Sequence, residues 1–569
     1  MALLTILSYS VLASFGVWIL SCGIPLIRNY GRARRMGIPI RVIPIDHLNP
    51  FWTLTDKQLL PLLRRLPFVA GSSFSRYNFR CWEVHDRYRS HHELGDAFVV
   101  VTPGNNWLYI NDPDAMMDLF RRRHDFPRPL QLTEILNVFG PNLGTVDGAK
   151  WKVQRKLTAT CFNERNNDIV WSESTTLAQV MVKHWSSKGE IATVAPDTRQ
   201  LSLNVLSRAG FGKSFPFTTQ DDTQPAESQA FDPGSASYRD TLQLIMENCI
   251  LIMALGPQFL RRWKSWLPRK LKTLAEACIS FQGYMTDIYE EEKRACIQPP
   301  SASSATRETT FITSLVRASR DETIRSSGAG LTEQEIYGNM FMLNFAGHDT
   351  TAHTFVFALY FLAAHRDAQE WVAEELDGLD DGDGERDYRR DFPRLKRCLA
   401  VMYESLRLYA PVSISKWNPP EGRPQELVVG GKTVVIPPRT LIIPAWASVQ
   451  TDPRFWGEDA LQWRPQRWVK ETAEGGEEWV EARPGTFLSW SHGVRDCPGR
   501  KFSQVEFVAT LAVLLKEWWI DPVVQEGEDL DGARARVLKL IETDSGAILL
   551  LQMLHPERAP LVLKRREKK

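Results

Sequence analysis

The chain has 569 residues, 43% of them apolar and 24% charged, with a formal net charge of +1. That length exceeds the size at which single cores usually stop growing but still fits one large domain, and the near-neutral balance argues against a nucleic-acid partner, which requires a basic surface. Eight cysteines, at positions 22, 81, 161, 249, 278, 296, 398 and 497, are too dispersed for a zinc site or a dense disulfide framework.

Residues 2–27 carry no charge, a run long enough to cross a bilayer core as a helix. Arg28, Arg32, Arg34 and Arg35 follow at once, which places everything beyond them in the cytosol by the positive-inside rule. A cleaved signal peptide carries its charge before the apolar run, not after it. Residues 1–27 are therefore predicted to be a single transmembrane anchor. Residues 28–50, basic and containing Pro39, Pro44 and Pro50, read as a stiff non-helical neck, and residues 51–569 as the body.

Within the body, Phe98–Val101 and Trp107–Ile110 flank a Pro103-Gly104-Asn105 turn and predict a hairpin. From 112 to about 290 the pattern is mainly helical, broken by loops at 141–148 and 214–236. Residues 298–308, rich in Pro, Ser, Ala and Thr, read as a flexible loop. A long helix is predicted over Leu331–Ala364, opened by a capping box at Thr332 and Glu335. The acidic stretch 377–387 lacks EF-hand spacing and reads as a solvated loop. A helical run over Phe392–Tyr409 precedes short strands within 427–446. No repeat and no dinucleotide-type glycine fingerprint occurs. The fold class is mainly α with small β-sheets, an α+β arrangement.

One cysteine does not fit a structural role. Cys497 lies in Trp490-Ser491-His492-Gly493-Val494-Arg495-Asp496-Cys497-Pro498-Gly499, a Gly/Pro-rich loop directly before a helical pattern. The partial charge of that helix start and Arg495 would favour the thiolate. Gly493 and Gly499 would let the backbone approach a flat ligand. This stretch resembles the haem-binding loop of the cytochrome P-450 monooxygenases, Phe-x-x-Gly-x-Arg-x-Cys-x-Gly, with Trp490 standing where the family most often has Phe. The resemblance implies that Cys497 is the axial thiolate ligand of a haem b iron, that Arg495 pairs with a haem propionate, and that Trp490 packs beside the haem.

Other segments agree, in the family's order. Trp151-Lys152-Val153-Gln154-Arg155 resembles the Trp-x-x-x-Arg helix, whose two side chains share a face at i, i+4 and would reach a propionate. Ala346-Gly347-His348-Asp349-Thr350-Thr351 places residues of low helix propensity amid apolar neighbours, a polar notch in an apolar wall. It resembles the oxygen-activating helix, which implies that Asp349 and Thr350 organise water and relay protons. His348 reads as a packing or solvent-facing residue. Glu404-Ser405-Leu406-Arg407 alone would be a surface pair of little value. With Arg467 it resembles the family's buried Glu–Arg–Arg cluster, a structural element. The resemblance covers roughly residues 95 to 550 and is nearest to membrane-bound members from filamentous fungi, as in Phe162-Asn163-Glu164-Arg165-Asn166.

The implied activity is insertion of one atom of dioxygen into a lipophilic small molecule, such as a terpenoid or polyketide intermediate of secondary metabolism. By resemblance the pocket walls include 142–146, 341–345, 410–414 and 543–547. Electrons would come from a separate NADPH-cytochrome P-450 reductase, since the chain carries no flavin or nicotinamide fingerprint. Lys150, Lys152, Arg155, Lys156, Arg500 and Lys501 read as a docking patch for it or as ordinary surface charge. Membrane lipid is the other expected partner, and the endoplasmic reticulum membrane, with the catalytic domain cytosolic, the expected location. Alternatives are a peroxide-driven or isomerising haem-thiolate enzyme, which needs no proton relay at Asp349 and Thr350, and a non-catalytic haem-binding protein.

Overall fold

Strands β2 (Ala97–Val101) and β3 (Asn106–Ile110) pair antiparallel across the predicted turn, with Val99 opposite Leu108. Every residue of both strands is buried, as their near-continuous apolar sequence requires of strands covered on both faces. In this computed structural model, which describes residues 16, 20–217, 238–295, 310–320, 330–379 and 386–567, the hairpin is the centre of a five-stranded sheet. Its order is β1 (Ile40–Val42), β2, β3, β5 (Thr440–Pro444), β4 (Lys416–Asn418). β1 runs parallel to β2 and β5 parallel to β3, while β4 is antiparallel to β5. One face of the hairpin, through Val99, Val101, Leu108 and Ile110, joins the main core. The other, through Phe98, Val100, Trp107 and Tyr109, packs on Tyr77 and Trp82 as a separate aromatic core.

β1 corrects an expectation. Residues 28–50 are not a non-helical neck: residues 20–34 are helical and 40–42 are a sheet strand. Ala33, Met36 and Ile43 are buried in the body. Asn29 Nδ2 donates to the Thr102 carbonyl at 2.9 Å, and the Asn29 carbonyl accepts from Asn106 Nδ2 at 3.1 Å. Pro39 and Pro44 flank the strand, where no ladder N–H is needed, so burial of these apolar groups prevails over proline stiffness. The predicted anchor at 1–27 lies mostly outside the described residues, as do the 298–308 loop and most of the 214–236 and 377–387 loops. Among the described residues no helix is long and apolar enough to cross a membrane.

Helices make up 58% of the structure and strands 11%, which settles the class as mainly α with small sheets. Those that matter below are α1 (Pro50–Leu63), α2 (Gly148–Ala159), α3 (Glu164–Ser186), α4 (Val194–Phe211), α5 (Glu333–Ala364), α6 (Lys396–Leu408) and α7 (Arg500–Glu517). α5 is apolar nearly all round and is correspondingly buried through the middle of the body. The predicted capping box is present: Thr332 Oγ1 accepts from the Glu335 N–H at 3.2 Å, and Glu335 Oε2 accepts from the Thr332 N–H at 2.9 Å. Gly338 lets the loop at 140–141 lie against α5, since a Cβ there would come within 2.4 Å of the Gly140 carbonyl oxygen. α6 is shorter than the predicted run, because Pro393 closes a 3₁₀ turn over Phe392–Arg394 before it.

Candidate active site

The loop before α7 is held by its own backbone. The Cys497 N–H donates to the Trp490 carbonyl at 2.9 Å, and the Asp496 N–H to the Gly493 carbonyl at 3.1 Å. Gly493 sits at φ +76, a left-handed conformation that favours glycine. At Gly499 a Cβ would make ordinary contacts, 3.7 Å from Phe162 and 3.8 Å from Cys497 Sγ, so no protein neighbour demands glycine there. Cys497 alone among the described cysteines is exposed. It lines an open cleft of about 440 Å³ together with Arg155, Phe162, Tyr403 and Gln504. Burial pushes the thiol up, and the Gly499 N–H, Arg155 and Arg500 draw it back only in part. Arg495, expected to favour the thiolate, instead ion-pairs with Asp147 and lies over the Trp151 ring at 4.4 Å. A metal held at this sulphur would ionise it outright.

Trp151 and Arg155 project from α2 as the spacing requires, with different partners. Trp151 is buried under Arg495, whereas Arg155 donates to the Asp496 carbonyl at 2.9 Å and to its carboxylate at 2.6 Å. The more telling group escaped the sequence reading. Arg128 and Lys416 are gathered beside Arg495 with one carboxylate, Asp147, among them. Burial and mutual repulsion push Arg128 down to about 10 and Lys416 down to about 8. Lys416 is buried and Arg128 and Arg495 are half-buried; three desolvated cations sharing one anion are an unneutralised excess, and two more carboxylates would balance it. A haem brings two propionates. With the accessible sulphur of Cys497, the residues present fit that group.

The notch in α5 forms as predicted. Thr350 Oγ1 donates back to the Ala346 carbonyl at 2.9 Å, and Ala346, Gly347, Asp349 and Thr350 are all partly exposed within this mostly buried helix. His348 is buried, its Nδ1 2.6 Å from the Asn344 carbonyl. Asp349 does not bond Thr350 here. It ion-pairs with Arg199 of α4 at 3.1 Å, and Arg199 also donates to Gln552 at 2.8 Å. Burial raises the Asp349 carboxyl, but His348, His353 and Arg199 outweigh it and hold the group below the usual range. Burial drives His353 down to about 3, against the pull of Asp349.

Glu404, Arg407 and Arg467 do converge. Glu404 and Arg407 are fully buried, 2.7 Å apart, and Arg467 Nε reaches Glu404 at 2.9 Å. Glu404 also accepts from the Arg464 N–H and from Trp468 Nε1. Trp490 joins this side of the molecule. Its ring lies 5.0 Å from Tyr403 and 5.9 Å from Phe487, under Arg500, and its Nε1 donates to Ser503 at 3.3 Å. The larger indole in place of the usual Phe is thus taken up by an aromatic cluster behind the cysteine loop.

A fold built on a buried helix with a polar notch, an exposed cysteine ahead of α7 and a group of excess cations is that of a haem-thiolate protein. The cytochrome P-450 family model matches residues 62–540, and the chain belongs to the cytochrome P-450 family. Among similar proteins are a cytochrome P-450 monooxygenase of Arthrobotrys oligospora, 26% identical with 88% of this chain and 89% of that protein covered. Another is the phomenoic acid biosynthesis cluster cytochrome P-450 monooxygenase of Leptosphaeria maculans, 29% identical with 91% and 93% covered. The crystal structure of the cytochrome P-450DA heme domain shares the fold, with a TM-score of 0.62 at 19% identity over 84% of this chain and 92% of that one. The protein is a monooxygenase that uses haem held by a cysteine thiolate.

Proposed function

We propose that this chain oxygenates a lipophilic secondary-metabolite intermediate of terpenoid or polyketide type, using electrons from a membrane-bound NADPH-cytochrome P-450 reductase. The pairing of the accessible Cys497 sulphur with the excess cations around Arg495 carries this reading. Haem, when bound, supplies the reductive activation of dioxygen, and thiolate donation favours O–O cleavage. Cys497 would hold the iron. Arg128, Lys416 and Arg495 would neutralise the propionates, with Trp151 keeping Arg495 in place over its ring. Val146, Phe341, Leu343, Val412 and Ala547 belong to the segments that the family resemblance makes the pocket walls, and there they would exclude water and orient an apolar substrate. The Leptosphaeria relative, from a secondary-metabolite cluster, supports the substrate class.

Thr350 and Asp349 deliver protons. The Thr350 hydroxyl can turn from the Ala346 carbonyl to donate into the notch, and Asp349, tethered by Arg199, exchanges protons behind it. Thr350→Ala should keep haem bound while product per dioxygen consumed falls about 10²-fold, the lower end of general acid–base contributions. Oxygen uptake measured with product yield checks this, and a fully coupled variant refutes the relay.

Lys150, Lys152 and Lys156 are exposed on α2 or at its start, whereas Arg500 bonds Tyr403 and Lys501 lies over Phe392. Reductase docking is therefore assigned to the three α2 lysines. Lys152→Glu combined with Lys156→Glu should raise the reductase concentration for half-maximal turnover about tenfold at low salt, with the difference shrinking as salt is added. An unchanged titration removes the docking role.

The uncharged run over 2–27 and the exposed Leu20, Ile24 and Ile27 support attachment to the endoplasmic reticulum membrane with the body in the cytosol. Full-length protein should stay with membranes through alkaline extraction, and a form lacking residues 1–27 should be largely released. Retention of the shortened form would disprove the anchor.

A further inference from the structure

A second cavity, of about 130 Å³, lies against the sheet face turned away from the main core. Trp52 of α1, Trp82, and Trp107 and Tyr109 of β3 contribute four rings to its wall. Trp82 and Tyr109 are set edge to face at 5.0 Å. In size it is close to the cavity of about 150 Å³ that takes benzene in an engineered protein, but its wall is not simply apolar. Asn78 is fully buried with neither Nδ2 nor Oδ1 hydrogen-bonded, and Trp107 Nε1 has no acceptor. Buried polar atoms are rarely left so.

The charges at this wall are Asp56, Glu83 and Arg80. Arg80 is already committed: it lies 3.9 Å from Asp56 and donates to the Ile548 and Thr53 carbonyls. Glu83 forms no ion pair among the described residues, and the charged neighbour acting on it is another anion, Asp86. Burial holds its carboxyl up at about 7, the state of a group lacking a counter-cation. Aromatic faces beside an unpaired carboxylate favour an organic ammonium. Unpaired amide and indole N–H groups call for an oxygen on the same ligand.

We propose that this cavity binds a small amino-alcohol cation of the choline or ethanolamine type, with its ammonium among the rings beside Glu83 and its oxygen accepting from Asn78 and Trp107. This cavity shares no lining residue with the cleft at Cys497. Two sources offer this chemistry, a free amino alcohol and a lipid headgroup. The neighbouring outward residues of α1, Phe51 and Leu54, are 69% and 74% exposed and make the second a natural one.

The test uses full-length, haem-loaded protein and saturation-transfer NMR on choline chloride. Saturable binding is expected, at least tenfold tighter than that of the uncharged isostere 3,3-dimethylbutan-1-ol. Glu83→Gln, which keeps the side-chain shape, should weaken choline at least tenfold while leaving the reduced, carbon monoxide-bound spectrum unaltered, so that loss of the site is distinguished from loss of the fold. Phosphatidylcholine vesicles, with phosphatidylglycerol vesicles as control, should displace choline if the source is a headgroup and not if it is the free amino alcohol. No saturable binding at tens of millimolar, equal binding of the isostere, or undiminished binding by Glu83→Gln would each overturn the assignment.

Discussion

Cys497→Ala should lose the thiolate-type absorption of the reduced, carbon monoxide-bound protein, and turnover should fall by more than a hundredfold. Disturbing only the partners around metal ligands already costs about 10–100-fold in affinity or activity, and this change removes the ligand itself. Of the other described cysteines, Cys22 lies in the helix over 20–34 and Cys81 lines a different cavity. Cys161, Cys249, Cys278 and Cys398 are buried elsewhere in the core, and burial pushes their thiols up, with Cys161 and Cys249 at about 11. The cations around Arg495 would persist, so the variant is expected to retain some haem through its propionates, with altered ligation. The absorption spectrum of the purified variant, recorded with its haem content, decides the matter. An unaltered spectrum would sink the ligand assignment and the mechanism built on it.

The largest expected effect on stability comes from Glu404→Gln. Burial alone would raise the Glu404 carboxyl, but Arg407 and Arg467 overcome it and hold the group below its usual range. Arg407 is further tied to the Gln450, Ala460 and Gln462 carbonyls, so it cannot leave when its counter-ion is neutralised. Breaking a buried pair by removing one charge costs about 3–5 kcal/mol, a large share of a total of about 5–15 kcal/mol. The urea midpoint, compared with wild type at neutral pH, should fall accordingly. The sign of the pH dependence follows from the direction of the shift. A carboxyl depressed in the folded state contributes stability that is fully present above its unfolded pKa of about 4.3 and is lost as pH falls through the lower folded value. The gap between wild type and Glu404→Gln should therefore close on acidification. A gap under about 1 kcal/mol at neutral pH would mean that the cluster is not structural.

The contrast between these two sites shows how the sequence was legible. Cys497 stood out because its loop chemistry is local: glycine at a positive φ, proline and a helix start are all set within a few residues. The α5 notch, its capping box and the β2–β3 hairpin were equally readable, each resting on periodicity or on pairs three to five residues apart. Glu404 and Arg407 as a surface pair or a buried cluster could not be told apart from spacing alone. Burial decided it, and that depends on Arg467 and Trp468 arriving from some sixty residues away.

Other features had no local mark at all. Arg128 sits between two prolines and Lys416 on a short strand, with nothing to distinguish either from surface charge until the sheet and the cysteine loop enclose them together. Arg199 meets Asp349 across 150 residues. β1 was mistaken for a neck because its pairing partner is β2, more than fifty positions later. The sequence by itself determined the class, through its resemblance to the cytochrome P-450 family, and singled out Cys497 and the notch of α5 as candidates, because the motifs that carry the resemblance are contiguous in the chain. Only the tertiary structure decided which charges are buried, which are left unpaired and which cavities they line, because desolvation and Coulomb energy depend on distances that no separation along the chain encodes.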